Sequence, residues 1–366
     1  MKIDELMQII EKHVPLKTAE SWDNVGLLIG DKHTKMTGIL TALDCTNEVV
    51  EEALTREINT IICHHPLIFK GLTSITDDGY GQLIRKIIQH DIQVIALHTN
   101  LDHYYKGVNA MLATKLKLQD TEILVPQTTT YYKVQTFIPE EHLEQFKRQI
   151  SKAGLAQEGN YEYCFFESKG TGQFKPVGEA NPFIGKIDHI EYVNEVKLEF
   201  MIQSQQRKLA EHLIQQYHPY ETPVYDFIEL SKEADSGLGM IGNLATPQNV
   251  KDFIQETKST LAIPSLRYAG KPDITISRVA IIGGSGIGFE HVAFQRGADI
   301  FVTGDVKHHD ALDAKTEGMN ILDINHYSEY VMKDGLKQLL SDWLTDHEAD
   351  ITIASSSINT DPFQYY

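Results

Sequence analysis

The sequence has few cations for its size. Its 366 residues carry 33 Lys and Arg against 51 Asp and Glu, a formal charge of −18 at pH 7. A protein that binds duplex nucleic acid needs cations to displace the counterions of the phosphates, and anionic membranes attract basic segments. The composition therefore argues against extended nucleic-acid binding and against membrane binding. A small anionic ligand stays open, because metal ions or local dipoles can receive it.

Cysteine is also scarce, and long apolar runs are missing. The three cysteines, Cys45, Cys63 and Cys164, form no C-x-x-C pair, which argues against a disulfide framework and against a thiolate zinc site. No stretch approaches the roughly 18 apolar residues of a membrane helix, and the start of the chain lacks the apolar core of a signal peptide. We expect a soluble, cytoplasmic protein.

Both ends of the chain alternate short apolar strands with amphipathic helices. Up to about residue 125 the predicted strands include Thr60–Cys63 and Gln93–Leu97. From about residue 245 they include Asn320–Ile324 and end with Asp350–Ala354. Such strands between helices are typical of a sheet covered on both faces. We predict an α/β fold in which two pseudo-repeated βα halves form one domain with a parallel or mixed sheet.

The middle of the chain has a different order of elements. Predicted strands and helices follow one another as β-α-β-β-α-β, the order of a ferredoxin-like α+β module. Pro126 with a run of Thr precedes this stretch, and the sequence SKEADSGLG ends it. The predicted domains are therefore 1–125 together with 245–366, and an inserted ferredoxin-like domain at 126–244.

Histidine is plentiful, with 16 residues, and several histidines follow predicted strands. The histidines and acidic residues in such positions are His64, His65, His98, Asp102, His326 and Glu329. Taken singly, each also fits a surface histidine or a helix-capping acid. Because ligands bind outside the carboxyl ends of strands in open α/β sheets, their recurrence there favours a nitrogen and oxygen site for one or two divalent metals. Zinc, iron, manganese, cobalt and nickel suit such donors better than magnesium or calcium.

Six short motifs resemble those of a known family. They are W-D-N-V-G-L (Trp22–Leu27), A-L-D-C-T (Ala42–Thr46), I-I-C-H-H-P-L (Ile61–Leu67), H-T-N-L-D (His98–Asp102), T-G-D-V-K-H-H (Thr303–His309) and N-H-Y-S-E (Asn325–Glu329). Together they resemble the Nif-three-like family, whose members are often labelled GTP cyclohydrolase 1 type 2 homologues. The middle of the chain resembles the PII-like or CutA-like insertion of the longer bacterial members.

The resemblance implies a dinuclear metal centre in each subunit of a homohexamer. Its ligands would be His64, His65, Asp102, His326 and Glu329, with one carboxylate bridging two divalent ions. Zinc is the first candidate, and iron, manganese, cobalt and nickel are alternatives. The function expected is hydrolysis of a small nucleotide-like or phosphorylated metabolite by a metal-activated water. The alternative is a non-catalytic metal carrier, chaperone or regulatory protein whose inserted domain senses a ligand or partner.

Residues around the expected ligands allow two interpretations each. His98 is a candidate for proton transfer or substrate orientation, or it makes a hydrogen bond at the edge of the site. Asp44 either fixes a ligating imidazole or caps a helix. We expect Asp305, His308 and His309 to open a helix near the site rather than bind metal.

A glycine-rich turn, residues 283–288, follows one predicted strand. It fails as a dinucleotide fingerprint, because Phe289 stands where G-x-G-x-x-G needs its third glycine. A tight turn whose free amides meet a phosphate near the metal edge remains an alternative.

Overall fold

A computed structural model describes residues 1–345 and 351–366 of the chain. The chain forms two compact units: Met1–Gln127 with Asp235–Tyr366, and Thr128–Ala234. The strands are β1 Gly26–Ile29, β2 Gly38–Ala42, β3 Thr60–Cys63, β4 Gln93–Ala96, β5 Gln119–Pro139, β6 Phe165–Phe174, β7 Glu191–Gln203, β8 Tyr225–Asn249, β9 Arg267–Ala269, β10 Thr275–Ile281, β11 Ile300–Thr303, β12 Ile321–Asp323 and β13 Thr352–Ser355.

The helices lie between these strands along the chain. They are α1 Ile3–His13, α2 Asn47–Thr55, α3 Gly79–Gln89, α4 Thr99–Asp102, α5 Val108–Lys115, α6 Leu143–Lys152, α7 Arg207–Tyr217, α8 Val250–Thr260, α9 Glu290–Gln295, α10 His308–Thr316 and α11 Met332–Leu344. Short 3₁₀ helices occur at Leu16–Thr18, Glu140–His142, Ser204–Gln206 and His326–Val331. No helix in the described part of the chain combines the length and the hydropathy that crossing a membrane requires.

The first unit contains a sheet with the order β1-β4-β3-β2-β13. Its central strands β2, β3 and β4 are parallel and buried along their whole length, as expected for strands covered on both faces. Helix α2 begins after β2 because the Thr46 hydroxyl accepts a hydrogen bond from the Val49 amide. At one edge β1 runs antiparallel to β4, and at the other β13 runs parallel to β2.

A second sheet holds the strands of the later half, in the order β8-β10-β11-β12-β9 within this unit. Strands β10, β11 and β12 are parallel, whereas β8 runs antiparallel to β10 and β9 runs antiparallel to β12. The α/β class with mixed pairing is confirmed. The two halves form two mixed sheets rather than one, and side chains of one apolar cluster lie on strands of both. The predicted last strand began at Asp350, which lies outside the described residues.

One apolar cluster joins the two sheets of this unit. Leu6 of α1, Leu112 of α5 and Leu336 of α11 pack with Ile62 of β3 and Val302 of β11, and all five are buried. Helices therefore lie against strands from both halves. The carboxyl ends of β3, β4 and β12 are held as rigid supports for the residues that follow them.

The second unit contains a sheet with the order β6-β7-β5-β8. Strand β7 runs antiparallel to both β5 and β6. The core includes Phe146 and Ile150 of α6, Ile214 of α7, and Val134 and Leu198 of the sheet. Strand β6 begins at Phe165, after a tight turn in which Tyr161 pairs with Glu158. The ferredoxin-like assignment of this unit stays a prediction.

Candidate metal centre

Three overlapping groups of side chains in the first unit could each hold a metal ion. They are His64, His65 and His98; His65, His326 and Glu329; and His64, Asp102 and Glu329. Within each group the ligand atoms lie within 4.8 Å of one another. The structure therefore brings the five residues predicted as ligands together with His98.

The ends of three strands position these residues. His64 and His65 directly follow β3, and His98 lies between β4 and the short helix α4 that ends with Asp102. After β12 the chain turns at Asn325, with φ 62° and ψ 150°. This backbone conformation costs a non-glycine residue about 1–3 kcal/mol, and it places His326 and Glu329 on one 3₁₀ helix.

Every imidazole of the cluster donates a hydrogen bond through Nδ1. The acceptors are Leu97 O for His64 at 2.8 Å, Asp44 Oδ1 for His65 at 2.7 Å, Asp23 Oδ1 for His98 at 2.9 Å and Asp305 Oδ2 for His326 at 2.7 Å. Because oxygen acceptors require the proton on Nδ1, Nε2 of each ring is the nitrogen available to a ligand. Oriented rings of this kind are typical of metal-binding histidines.

The Nε2 atoms and the carboxylates converge. His65 Nε2 lies 3.2 Å from His326 Nε2 and 3.2 Å from Glu329 Oε2. His64 Nε2 lies 3.5 Å from Asp102 Oδ1. Among the described residues, these last two atoms are buried and have no hydrogen-bond partner. Leaving such groups unpaired costs about 1–3 kcal/mol each, and a cation between them would satisfy both.

Burial and neighbouring charges shift the pKa values of the cluster's side chains in opposite directions. Burial lowers the pKa of His64 to about 3, and burial together with Glu329 raises the pKa of Asp102 well above its ordinary value. Burial opposes a charge on His65, but hydrogen bonds to Asp44 and Glu329 raise its pKa to about 10. The hydrogen bond to Glu329 raises the pKa of His326 to about 9. A cation that enters must displace these protons.

Glu329 is the ionised partner of this arrangement. Its side chain is buried, yet hydrogen bonds from His326 and His65 lower the pKa of its carboxyl. The glycine-rich turn packs directly against it: a Cβ atom on Gly283 or Gly284 would lie 3.0 or 2.7 Å from Glu329 Oε1. The glycines at these positions therefore make room for a candidate ligand.

Three amides of the same turn are engaged and do not face a phosphate. The amides of Gly283, Gly286 and Gly288 donate to side chains, namely Asn109 at 2.8 Å, Thr303 at 2.8 Å and Glu290 at 2.6 Å. Its observed contacts thus favour support of the cluster over binding of a phosphate.

Several neighbouring residues have clear contacts. Asp44 holds His65, while the cap of α2 is Thr46. Asp305 holds His326, and His308 begins α10. Sequence reasoning allowed the loop that contains Asp23 either to line the site or to pack on the N-terminal helix, and it did not identify Thr360. Asp23 also accepts from the Thr99 amide at 3.0 Å, and the Thr360 hydroxyl donates to Asp44 Oδ2.

A cavity of about 1100 Å³ opens beside His65 and His326. Its wall includes Arg267, Tyr327 and the segment Thr360–Tyr365. Arg267 is the only Lys or Arg among the described residues that line it, and its guanidinium is anchored on the Val306 carbonyl at 2.8 Å and on Asp323. The cluster is therefore reached through a space that can hold a small organic molecule.

The sequence matches one family along almost its whole length. The model of Duf34/NIF3 (NGG1p interacting factor 3) covers residues 1–362. The chain belongs to the Duf34/NIF3 family. The family resemblance carried by the six motifs is thereby confirmed.

Relatives of this Duf34/NIF3 chain share its full length. It is 60% identical over 365 residues to a protein of Staphylococcus aureus (strain COL) named GTP cyclohydrolase 1 type 2 homolog, and the match covers 100% of both chains. The crystal structure of Staphylococcus aureus protein SA1388 has 55% identity and a TM-score of 0.87, and covers 100% of this chain and 99% of that one. A Bacillus cereus protein related to NIF3 has 36% identity and a TM-score of 0.73, at the same coverage.

Proposed function

We propose that this Duf34/NIF3 chain is a metal-dependent hydrolase of a small nucleotide-like or phosphorylated metabolite. Its ligands would be His64, His65, Asp102, His326 and Glu329, and they would hold two divalent ions. Three imidazoles and two carboxylates suit zinc, with iron, manganese, cobalt and nickel as alternatives. The name of the Staphylococcus aureus relative fits a nucleotide substrate.

One observation carries the proposal. The ligand groups overlap by sharing His64, His65 and Glu329, so two ions could occupy neighbouring positions. The unpartnered atoms His64 Nε2 and Asp102 Oδ1 both belong to the group that is completed by Glu329. A cluster built to serve protein structure alone would satisfy such buried atoms with protein partners.

Two bound ions would supply a water of lowered pKa and charge for a developing oxyanion. The chain's own residues supply the rest. The cavity holds the substrate beside His65 and His326. Asp23 fixes the ring of His98, leaving Nε2 to take a proton from, or return it to, the reacting group.

Metal analysis and substrate screening test this proposal. Purified protein should contain about two divalent ions per chain by the two-metal reasoning, and Asp102→Ala and His65→Ala should lose them. Nucleotides and other phosphorylated metabolites are then screened with these two substituted proteins as controls. A folded, active wild type free of metal contradicts the site.

The role of His98 is tested separately from metal binding. His98→Asn should keep the metal content of the wild type and lose turnover roughly 100-fold or more, as expected for a proton-transfer residue. Loss of metal in this protein would make His98 a ligand instead.

The same screen separates the hydrolase from a metal carrier. A carrier would deliver metal to an acceptor protein, and it would turn over every substrate no faster than Asp102→Ala and His65→Ala do. Transfer of that kind, without turnover, would replace the hydrolase proposal with the carrier.

We also propose a cytoplasmic homohexamer in which residues 126–244 form the inserted ferredoxin-like, PII-like or CutA-like domain. Light scattering of the purified chain measures the assembly. A monomer at micromolar concentration contradicts the hexamer.

A further inference from the structure

The second unit contains a cavity of its own. It has a volume of about 650 Å³, and every residue that lines it belongs to Thr128–Ala234. Its walls are mainly apolar and include the rings of Phe137, Phe174, Phe183 and Tyr220. Pockets with this size and lining are typical of small-molecule sites.

Strand β6 forms one wall of the cavity, and it has glycine, without a side chain, at two positions there. In β6, Gly170 pairs with Glu195 of β7, and Gly172 follows two residues later on the same face. A Cβ atom on Gly170 would meet nothing within 4 Å. Glycine weakens the interior of a strand, and it often marks a place where a ligand approaches the backbone.

Glu195 is the polar group of this cavity. Its residue is 9% exposed. The Tyr220 hydroxyl donates to its Oε1 at 2.6 Å, while its Oε2 lies over Gly172. Burial and this hydrogen bond raise the pKa of Tyr220 well above its ordinary value, so the phenol remains a neutral donor.

No cation of the described residues forms an ion pair with Glu195. The three lysines that line the cavity are engaged elsewhere: Lys169 pairs with Glu140, Lys175 with Asp188 at 3.5 Å and Lys197 with Glu199 at 3.1 Å. Burying a carboxylate is costly unless a charged partner accompanies it. The site therefore lacks a positive charge that a ligand could bring.

We propose that this cavity binds a small organic cation, a protonated amine carried on an apolar body. The ammonium group donates a hydrogen bond to Glu195 Oε2, and the body packs over Gly170 between the phenylalanine rings. Aromatic faces also attract a cation directly. This site does not depend on the proposed function of the metal centre.

Isothermal titration of the full chain with 2-phenylethylammonium tests the proposal, and 2-phenylethanol serves as the neutral analogue. We expect the ammonium to bind at least tenfold more tightly than the alcohol. Glu195→Gln keeps the shape and the acceptor for Tyr220, and should weaken binding of the ammonium at least tenfold. Gly170→Val should abolish binding because its side chain fills the cavity.

Glu229→Gln is the matched control, since Glu229 lies in the same unit outside the cavity and accepts from the Tyr132 hydroxyl at 3.3 Å, as Glu195 accepts from Tyr220; binding should stay within twofold of the wild type. Thermal unfolding verifies that each substituted protein folds. If Gly170→Val does not fold, Glu195→Gln alone decides the test. No binding of the ammonium, equal binding of the alcohol, or unchanged binding by Glu195→Gln would each overturn the proposal.

Discussion

Replacement of Gly284 by alanine tests whether the glycine-rich turn supports the proposed metal site, apart from any effect on general stability. Gly284 has φ +58°, and an added Cβ would lie 2.7 Å from Glu329 Oε1. Ordinary contact begins at 3.4 Å, so the carboxylate must retreat by about 0.7 Å (3.4 minus 2.7). Functional constellations tolerate displacements of only about 0.5 Å. Gly284→Ala should therefore weaken zinc binding about 10–100-fold, the range seen when the support of a ligand is lost.

The same substitution also affects folding. Left-handed backbone costs alanine about 1–2 kcal/mol, and overpacking adds about 1–3 kcal/mol. Gly288 provides the control, because it has φ +108° but open space around its Cβ. Gly288→Ala should lose stability and keep its affinity for zinc.

Urea unfolding of metal-free protein measures the stability of both alanine substitutions, and competition with a chromophoric chelator measures zinc affinity. The reasoning fails if folded Gly284→Ala binds zinc like the wild type. It fails equally if Gly288→Ala loses as much affinity as Gly284→Ala.

Three further predictions concern the surroundings of the centre. Asp44→Ala should weaken zinc binding about 10–100-fold, because His65 loses its orienting acceptor; an unchanged chelator competition would contradict this. Zinc at 100 times its dissociation constant should raise the unfolding free energy by about 2.7 kcal/mol, and thermal scans should show no such gain for Asp102→Ala. Against the effect of burial, hydrogen bonds from Ser356 and Ser357 lower the pKa of Glu52 below 4.5. The ionised Glu52 carboxylate therefore stabilises the fold fully above pH 4.5, and this stabilisation is lost as the pH falls through the lowered pKa of Glu52. Glu52→Gln should cost about 1–3 kcal/mol at pH 7, and urea titrations should show a smaller difference in acid.

The strand ends were the predictable part of the candidate site. His64 and His65 directly follow β3, and His326 follows β12 after a short turn. Once the sequence indicated these strands, the rule that ligands meet the carboxyl ends located the cluster. The order of residues along the chain was sufficient, because each residue is close in sequence to the element that positions it.

The supporting contacts were beyond a sequence argument. Asp23 reaches His98 across 75 residues, and Thr360 reaches Asp44 across 316. No local pattern connects such pairs, since their proximity is produced by the packing of the whole unit. The edge strands β1 and β9 were not predicted for another reason: runs of four and three residues are too short to show a periodicity.

Strand β13 has a consequence for how the protein is made. The Thr41 hydroxyl donates to the Ala354 carbonyl, a separation of 313 residues, and β13 covers the edge of β2. On the ribosome, β2 leaves the exit tunnel long before its neighbour exists. During that interval its unpaired edge can join another nascent chain, and the late pairing slows folding. Until residues 352–355 have been synthesised, this edge of β2 stays open to incorrect partners.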